Sequence, residues 1–376
     1  MSDKREKKRK RIVIACGGTA GHIFPGLTLA EELLKRYKDD LNISFITSEN
    51  LLAKRLLEES GYDFYTLPVK GIERRSFAGN VDFIKSLFTG AVKSAGIVFR
   101  EKPDCFVAFG SYVSGPPFVA ASLLRVPTII HEQNITMGRA NRLMRNFATK
   151  VALSFPSSEE RKRKNMVVTG NPIRRSAAKI SAREKALNLL EMDISKFTIL
   201  VIGGSQGSQR INLVLLDVFR GMDELLRRRI QVIHISGDND YDMVRDAYEK
   251  IGGVSYGVYS FFKDMGTAYS AADVTISRAG ASSIFELCLH KMPSILIPYP
   301  FAGGHQADNA KYLTDRNAAI MIEEKNLSAE SLKAAILRFL EDSALRYLMK
   351  KRLANLSMRE AAEKLADEVG LLAGLS

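Results

Sequence analysis

Apolar positions along this chain follow two alternating rhythms. Short β-branched runs predict strands at 12–16 (IVIAC), 43–47 (ISFIT), 105–109 (CFVAF), 128–130 (TII) and 150–154 (KVALS). Between them apolar residues recur at helical spacing. Such alternation predicts α/β units on parallel sheets. The rhythm breaks at 169–175 (TGNPIRR), where Asn171-Pro172 biases the backbone away from helix. It restarts at 197–204 (FTILVIGG), 230–236 (IQVIHIS), 254–259 (VSYGVY), 273–277 (DVTIS) and 294–298 (SILIP). The pattern therefore predicts two consecutive doubly wound, Rossmann-like domains, covering 12–170 and 177–355, joined by a linker at 171–176. Ligands of such sheets bind at the carboxyl ends of the strands, which with two facing domains means an interdomain cleft.

Those strand ends carry glycine loops. The first strand runs into Gly17-Gly18-Thr19-Ala20-Gly21 and then a helix, a device that brings backbone N–H groups and a helix N-terminus to an anion. It recurs at 109–117 (FGSYVSGPP) and 203–212 (GGSQGSQRIN). Several loops at equivalent strand ends suit a ligand with many phosphate or hydroxyl groups. Two rivals share parts of this pattern. A dinucleotide site expects an acidic residue ending the second strand, and Ser48-Glu49 places none clearly. A hydrolase elbow fits G-x-S-x-G at Ser205, with His234, His290 and His305 downstream, but leaves the first loop and the domain restart unexplained.

Composition narrows the class further. The 376 residues are 46% apolar and 26% charged, as in a globular protein, with a net charge of +13. An anionic partner follows: nucleic acid, acidic membrane or phosphorylated substrate. Residues 1–11 form a basic tail with Lys4, Arg5, Lys7, Lys8, Arg9, Lys10 and Arg11, read as a solvated segment or a tether to anionic headgroups. The tail leads directly into IVIAC and its glycine loop, so it does not read as a secretory signal. No apolar stretch approaches the ~20 residues of a spanning helix. Cys16, Cys105 and Cys288 are scattered among apolar residues without metal or disulfide spacing, which fits a reducing cytoplasm.

Taken together, GGTAGHIFPGLTLA (17–30), GSYVSGPP (110–117), HEQN (131–134), GNPIR (170–174), GGSQGSQRIN (203–212), SRAGASSIFEL (277–287) and HQADNA (305–310) resemble the MurG family. Its members transfer N-acetylglucosamine from UDP-N-acetylglucosamine to undecaprenyl-pyrophosphoryl-muramyl-pentapeptide. The resemblance implies the GT-B fold, with acceptor and membrane on the N-terminal domain, donor on the C-terminal one, and a C-terminal helix at 356–376 returning to the first domain. It implies donor contacts from Thr19, Ala20 (glycine in most members), Gly21, Asn134, Arg174, Ser205, the backbone at Phe262, Gly280, Ala281, Ser282, Glu286 and Gln306. A carboxylate suits the ribose diol, and an amide suits hexose hydroxyls. Tyr112 and Ser114 would line the acceptor side.

An inverting transfer needs a base for the acceptor hydroxyl and stabilisation for the departing diphosphate. Loop amides and helix N-termini can supply the latter, and the resemblance implies neither metal nor other cofactor. Asp238-Asn239-Asp240 has the letters of a metal motif but reads as a turn. His22, directly after the first glycine loop, is the first candidate base, and Glu132 is the alternative. Each also has a structural reading, as a capping or core histidine and as a carboxylate that orients its neighbours.

A lipid-linked acceptor calls for contact with an anionic membrane surface, on the cytoplasmic face. The segment 80–99 places Phe83, Ile84, Leu87, Phe88, Ala91 and Val92 at helical spacing, near Arg74, Arg75, Lys85, Lys93 and Arg100. It reads as a core-facing helix, an interfacial one, or both in part. Other UDP-sugar enzymes of the same architecture, such as a glycolipid glycosyltransferase or a UDP-sugar 2-epimerase, are the alternative. Nucleic acid is not an expected partner, because no binding motif accompanies the charge.

Overall fold

A computed structural model describes residues 9–69, 77–157, 163–204, 207–301 and 304–375, without the side chains of Ala20, Asp39, residues 77–85 and Leu87. The chain forms two compact units, one of residues 1–174 with 360–376, the other of 175–359. Basic residues 4–8 of the tail, Arg74, Arg75 and Ser205 lie outside the described residues, as do the side chains of Phe83, Ile84, Lys85 and Leu87.

The first unit runs β1 (Lys10–Ala15), α1 (Ala20–Tyr37), β2 (Leu41–Ser48), α2 (Leu51–Ser60), β3 (Asp63–Leu67), α3 (Phe77–Glu101), β4 (Cys105–Ala108), α4 (Ser111–Leu123), β5 (Thr128–Glu132), α5 (Arg139–Met144), β6 (Lys150–Leu153) and β7 (Met166–Val168). Its strands form a parallel sheet in the order β3-β2-β1-β4-β5-β6-β7. Because strand side chains alternate, β1 sends Ile12 and Ile14 to one face and Val13 and Ala15 to the other. Both faces are covered, which is why these strands read as continuous apolar runs. Lys10 and Arg11 already belong to β1 rather than to the tail. Lys10 Nζ lies 3.2 Å from the Asp104 carboxylate, which also accepts the Arg11 backbone N–H at 2.9 Å.

The second unit runs α6 (Arg175–Ala178), α7 (Arg183–Leu189), β8 (Phe197–Ile202), α8 (Gln209–Arg220), α9 (Glu224–Arg228), β9 (Ile230–Ile235), α10 (Tyr241–Ile251), β10 (Ser255–Tyr259), α11 (Met265–Ala271), β11 (Val274–Ser277), α12 (Ala281–Leu289), β12 (Ser294–Leu296), α13 (His305–Thr314), β13 (Ile320–Met321), α14 (Ala329–Glu341) and α15 (Ser343–Ala354). Its order, β10-β9-β8-β11-β12-β13, repeats the first sheet's arrangement. Strands β3, β7 and β13 are absent from the sequence expectation, and all are edge strands. Their residues are mostly half-buried or exposed, and at five, three and two residues the strands are short.

The last helix, α16 (Ala361–Ala373), belongs to the first unit and packs on α1. Leu365, Ala366 and Val369 join Ile12, Ile14, Leu29 and Leu33 in one core, and Lys150 pairs with Glu368. The helix is thus held by apolar burial rather than by charge alone. Leu365→Ala should lower stability by about 2–5 kcal/mol through the cavity it leaves, whereas the exposed Leu371→Ala should stay within about 0.5 kcal/mol; urea denaturation of both variants measures this.

Candidate active site

In each sheet the chain order reverses beside the first strand, between β1 and β4 and between β8 and β11. Loops leave these switch points on opposite faces and open a crevice at the carboxyl ends. In the first unit the two loops press together. Gly18 has φ +86, and a Cβ there would sit 3.1 Å from Ser111 Oγ. Ser111 itself is left-handed, with φ +70, an uncommon state for a residue with a side chain. Tyr112 stands half-exposed beside the same glycine. Thr19 and Gly21 are exposed, and the Thr19 side chain makes no capping bond, so the start of α1 is open. Nothing is described of the Ala20 side chain.

His22 lies half-buried on the first turn of α1, with Nδ1 2.8 Å from the Phe109 carbonyl just beyond β4. A carbonyl only accepts, so Nδ1 carries the hydrogen and Nε2 keeps its lone pair. The ring's pKa lies below the ordinary value, chiefly because burial disfavours the cation. The nearby Glu132 charge, the Phe109 carbonyl and the Gln133 side chain act in the opposite direction. At neutral pH the ring is a neutral base with one nitrogen anchored.

Glu132 is fully engaged at the end of β5. One carboxylate oxygen accepts from Asn134 N at 2.9 Å and Asn134 Nδ2 at 3.3 Å. The other accepts from Gly138 N at 2.9 Å and Asn141 Nδ2 at 2.8 Å. These four bonds fill a carboxylate's lone-pair positions. The geometry therefore makes Glu132 the organiser of the 133–138 loop and leaves it no free lone pair for a proton from substrate. Ser114 departs from its expected role in the same way. It is wholly buried and bonds to the Ala15 and Gly110 carbonyls, clamping β1 to α4, so its hydroxyl does not face an acceptor. Asn134 is half-buried at the loop's start, and Arg174 stacks over Phe24 of α1 at 4.7 Å.

In the second unit the loop after β8 is equally tight. Gly207 has φ +76, and a Cβ there would run into the Ser236 carbonyl. Arg278, beyond β11, braces this region: it donates to Ser208 Oγ at 2.8 Å and to the Ile297 carbonyl at 3.2 Å, and pairs with Glu324. Gly280 caps α12, whose first turn presents Ala281 and Ser282. From α13, Gln306 Oε1 accepts the N–H groups of Ala279 and Tyr299 at 3.2 and 2.9 Å, holding that turn. Glu286, nearly buried, accepts from the Tyr269 hydroxyl at 3.0 Å, and the Tyr269 ring stacks on His290. Phe262 packs edge-on against Tyr259.

Two of the three histidines that a hydrolase could use as bases are committed elsewhere. His234 is buried between Asn212 and Tyr248, and His290 donates to the Ala177 carbonyl at 2.6 Å. Asp238–Asp240 forms a 3-10 turn whose Asp240 accepts from Asn212 at 2.8 Å.

Residues 12–153 match the glycosyltransferase family 28 N-terminal domain, and residues 198–365 the glycosyltransferase family 28 C-terminal domain. The UDP-N-acetylglucosamine--N-acetylmuramyl-(pentapeptide) pyrophosphoryl-undecaprenol N-acetylglucosamine transferase of Thermodesulfovibrio yellowstonii is 37% identical, across 88% of this chain and 90% of that one. Its namesake in Bacillus licheniformis is 35% identical, across 94% and 96%. A crystal structure of Acinetobacter baumannii MurG superposes with a TM-score of 0.74 at 25% identity, covering 96% of this chain and 99% of that one. The chain belongs to the MurG family. It is a UDP-sugar-dependent hexosyltransferase with the GT-B fold. A solved UDP-N-acetylglucosamine 2-epimerase, 12% identical with a TM-score of 0.66 over 98% of both chains, shares the fold alone.

In this MurG-family chain, sequence reasoning missed His131, Gln133, Tyr269 and Arg278. His131 and Gln133 sit within the HEQN motif, where polar residues ending a buried strand were the available signal. Tyr269 carries no sequence signal, because its bond to Glu286 depends on how α11 meets α12. His131 is wholly buried, its Nε2–H donating to the Gly170 carbonyl at 3.0 Å, and burial pushes its pKa down to about 4. The unfolded chain, near 6.5, binds a proton that the folded state refuses, so stability falls as pH drops from 6.5 toward 4. The slope is about 1.4 kcal/mol per pH unit well inside that window. His131→Gln should lose roughly 1–2 kcal/mol less than the wild type between pH 7 and pH 5, as read from urea denaturation at the two pH values.

Proposed function

We propose that this enzyme transfers N-acetylglucosamine from UDP-N-acetylglucosamine to the 4-hydroxyl of the muramyl sugar of undecaprenyl-pyrophosphoryl-MurNAc-pentapeptide, converting lipid I to lipid II. The observation that carries the reading is similarity along nearly the whole chain to enzymes named for that transfer. His22 is the base. Its anchored Nδ1–H directs the free Nε2 at the acceptor hydroxyl, whose oxygen attacks the anomeric carbon as the proton moves to Nε2. The bond to the UDP oxygen breaks on the opposite face, inverting the centre. Backbone N–H groups at the start of α12 and in the glycine loop after β8 meet the charge that develops on the diphosphate.

On the donor, Glu286 accepts the ribose hydroxyls, while Gln306 offers its amide N–H groups to the sugar and the backbone near Phe262 meets the uracil. Thr19, Ala20 and Gly21 approach the sugar and diphosphate, Asn134 the sugar, and Arg174 the nucleotide. Ser205, outside the described residues, is assigned to a phosphate. Tyr112, beside the first glycine loop, lines the acceptor side.

The lipid-linked acceptor brings the enzyme to the cytoplasmic face of the plasma membrane. Among the described residues no helix is long and apolar enough to cross a bilayer. Instead the helices α3, α4 and α5, packed in sequence, and the turn after α5 expose Phe88, Val92, Phe99, Leu123, Leu143 and Phe147, each at least 62% accessible. Exposed Lys93, Arg125, Arg139 and Arg142 lie on the same helices or at their ends, so apolar insertion and attraction to anionic headgroups can act together.

Radiolabelled UDP-N-acetylglucosamine should label the lipid-linked acceptor, and His22→Ala should lower kcat by about 10²–10⁴-fold with UDP affinity little changed. A normal rate would remove His22 from the mechanism, and an unlabelled lipid with UDP binding intact would remove the acceptor assignment. Phe88→Ser with Phe147→Ser should weaken binding to vesicles containing anionic lipid by at least about tenfold. Equal vesicle binding by the folded double variant would put the membrane face elsewhere.

A further inference from the structure

Gln133 is nearly fully buried at the end of β5, and its amide can face only one way. Nε2 lies 3.0 Å from the Phe109 carbonyl, 3.2 Å from His131 Nδ1 and 3.3 Å from the His131 carbonyl. All three are acceptors once His131 Nε2–H donates to Gly170, so the NH2 end belongs there and Oε1 is turned away. What fixes the side chain is therefore its NH2 end.

Gln133 and His22 share the Phe109 carbonyl as acceptor, which puts the amide alongside the imidazole. We infer that Gln133 is a positioning residue for the transfer reaction: it fixes the Phe109 carbonyl that anchors His22 Nδ1, and its side chain stands beside the ring. The inference rests on His22 being the base. The interaction of the Gln133 side chain with the ring, which favours the charged form, agrees with this role. Among the described residues the titratable groups acting on the ring are Glu132, whose charge favours protonation, and His131, both on β5. Glu132 is held by four hydrogen bonds of its own, and Gln133 is the neutral side chain beside the ring.

The test is kcat and KM against pH for the full-length enzyme with UDP-N-acetylglucosamine and lipid-linked acceptor, in the wild type, Gln133→Leu, Gln133→Glu and His22→Ala. Activity falls on the acid side as the base protonates, so a raised ring pKa moves that limb to higher pH. Gln133→Glu, nearly isosteric, brings a carboxylate to the ring and should move the limb up by about one pH unit. Gln133→Leu should lower kcat about 10–100-fold while the donor KM stays within about twofold. A merely structural glutamine predicts a lower melting temperature with an unmoved limb.

If Gln133→Glu folds and its acid limb coincides with the wild type's, the positioning role is wrong. A Gln133→Leu kcat within about twofold of the wild type's overturns it equally. Should Gln133→Leu fail to fold, the Gln133→Glu limb alone decides. An inactive His22→Ala with an unmoved Gln133→Glu limb rejects Gln133 and spares His22. A fully active His22→Ala rejects the base assignment, and this inference with it.

Discussion

The Phe109 carbonyl accepts two hydrogen bonds, from His22 Nδ1 and Gln133 Nε2, at the point where β4 ends. With both lone pairs used, the oxygen joins three segments: the first turn of α1, the end of β4 and the loop after β5. Gln133 extends the link to His131, and His131 extends it to Gly170. This is a buried polar network, and its value depends on every member being satisfied. In the resting state one acceptor, Gln133 Oε1, is left over.

Around that point the fold uses polar side chains to hold loops. Glu132 gathers four donors and shapes the 133–138 loop. Ser114 ties β1 to α4. In the second unit Arg278 links Ser208 to Ile297, and Gln306 and Asn309 bracket both polar groups of Ala279. In both units the strand ends at the switch point are rigid because such side chains satisfy the backbone locally.

The central strands, the two-domain rhythm and the glycine loops were legible because each has a local cause. Double burial makes the Ile12–Ala15 part of β1 and nearly all of β8 apolar, and a left-handed turn at Gly18 or Gly207 demands glycine. The strands β3, β7 and β13 were not, because runs of five, three and two residues do not stand out from the apolar positions around them. His22 was legible as a histidine beside a glycine loop, but its tautomer was invisible, since Phe109 lies 87 residues away in sequence. For the same reason Ser114 and Glu132 looked available for chemistry. Their partners come from other strands and loops, and no motif records that their lone pairs are taken.

The account stands on one tautomer. With only five histidines in the chain, nitrogen NMR of imidazole-labelled protein near pH 7.5 can assign His22 by comparison with His22→Ala. The account predicts a neutral ring with Nδ1 protonated and Nε2 bare. A ring with its hydrogen on Nε2, or a fully protonated ring at that pH, would contradict it, because the nitrogen meant to receive the acceptor's proton would already carry one.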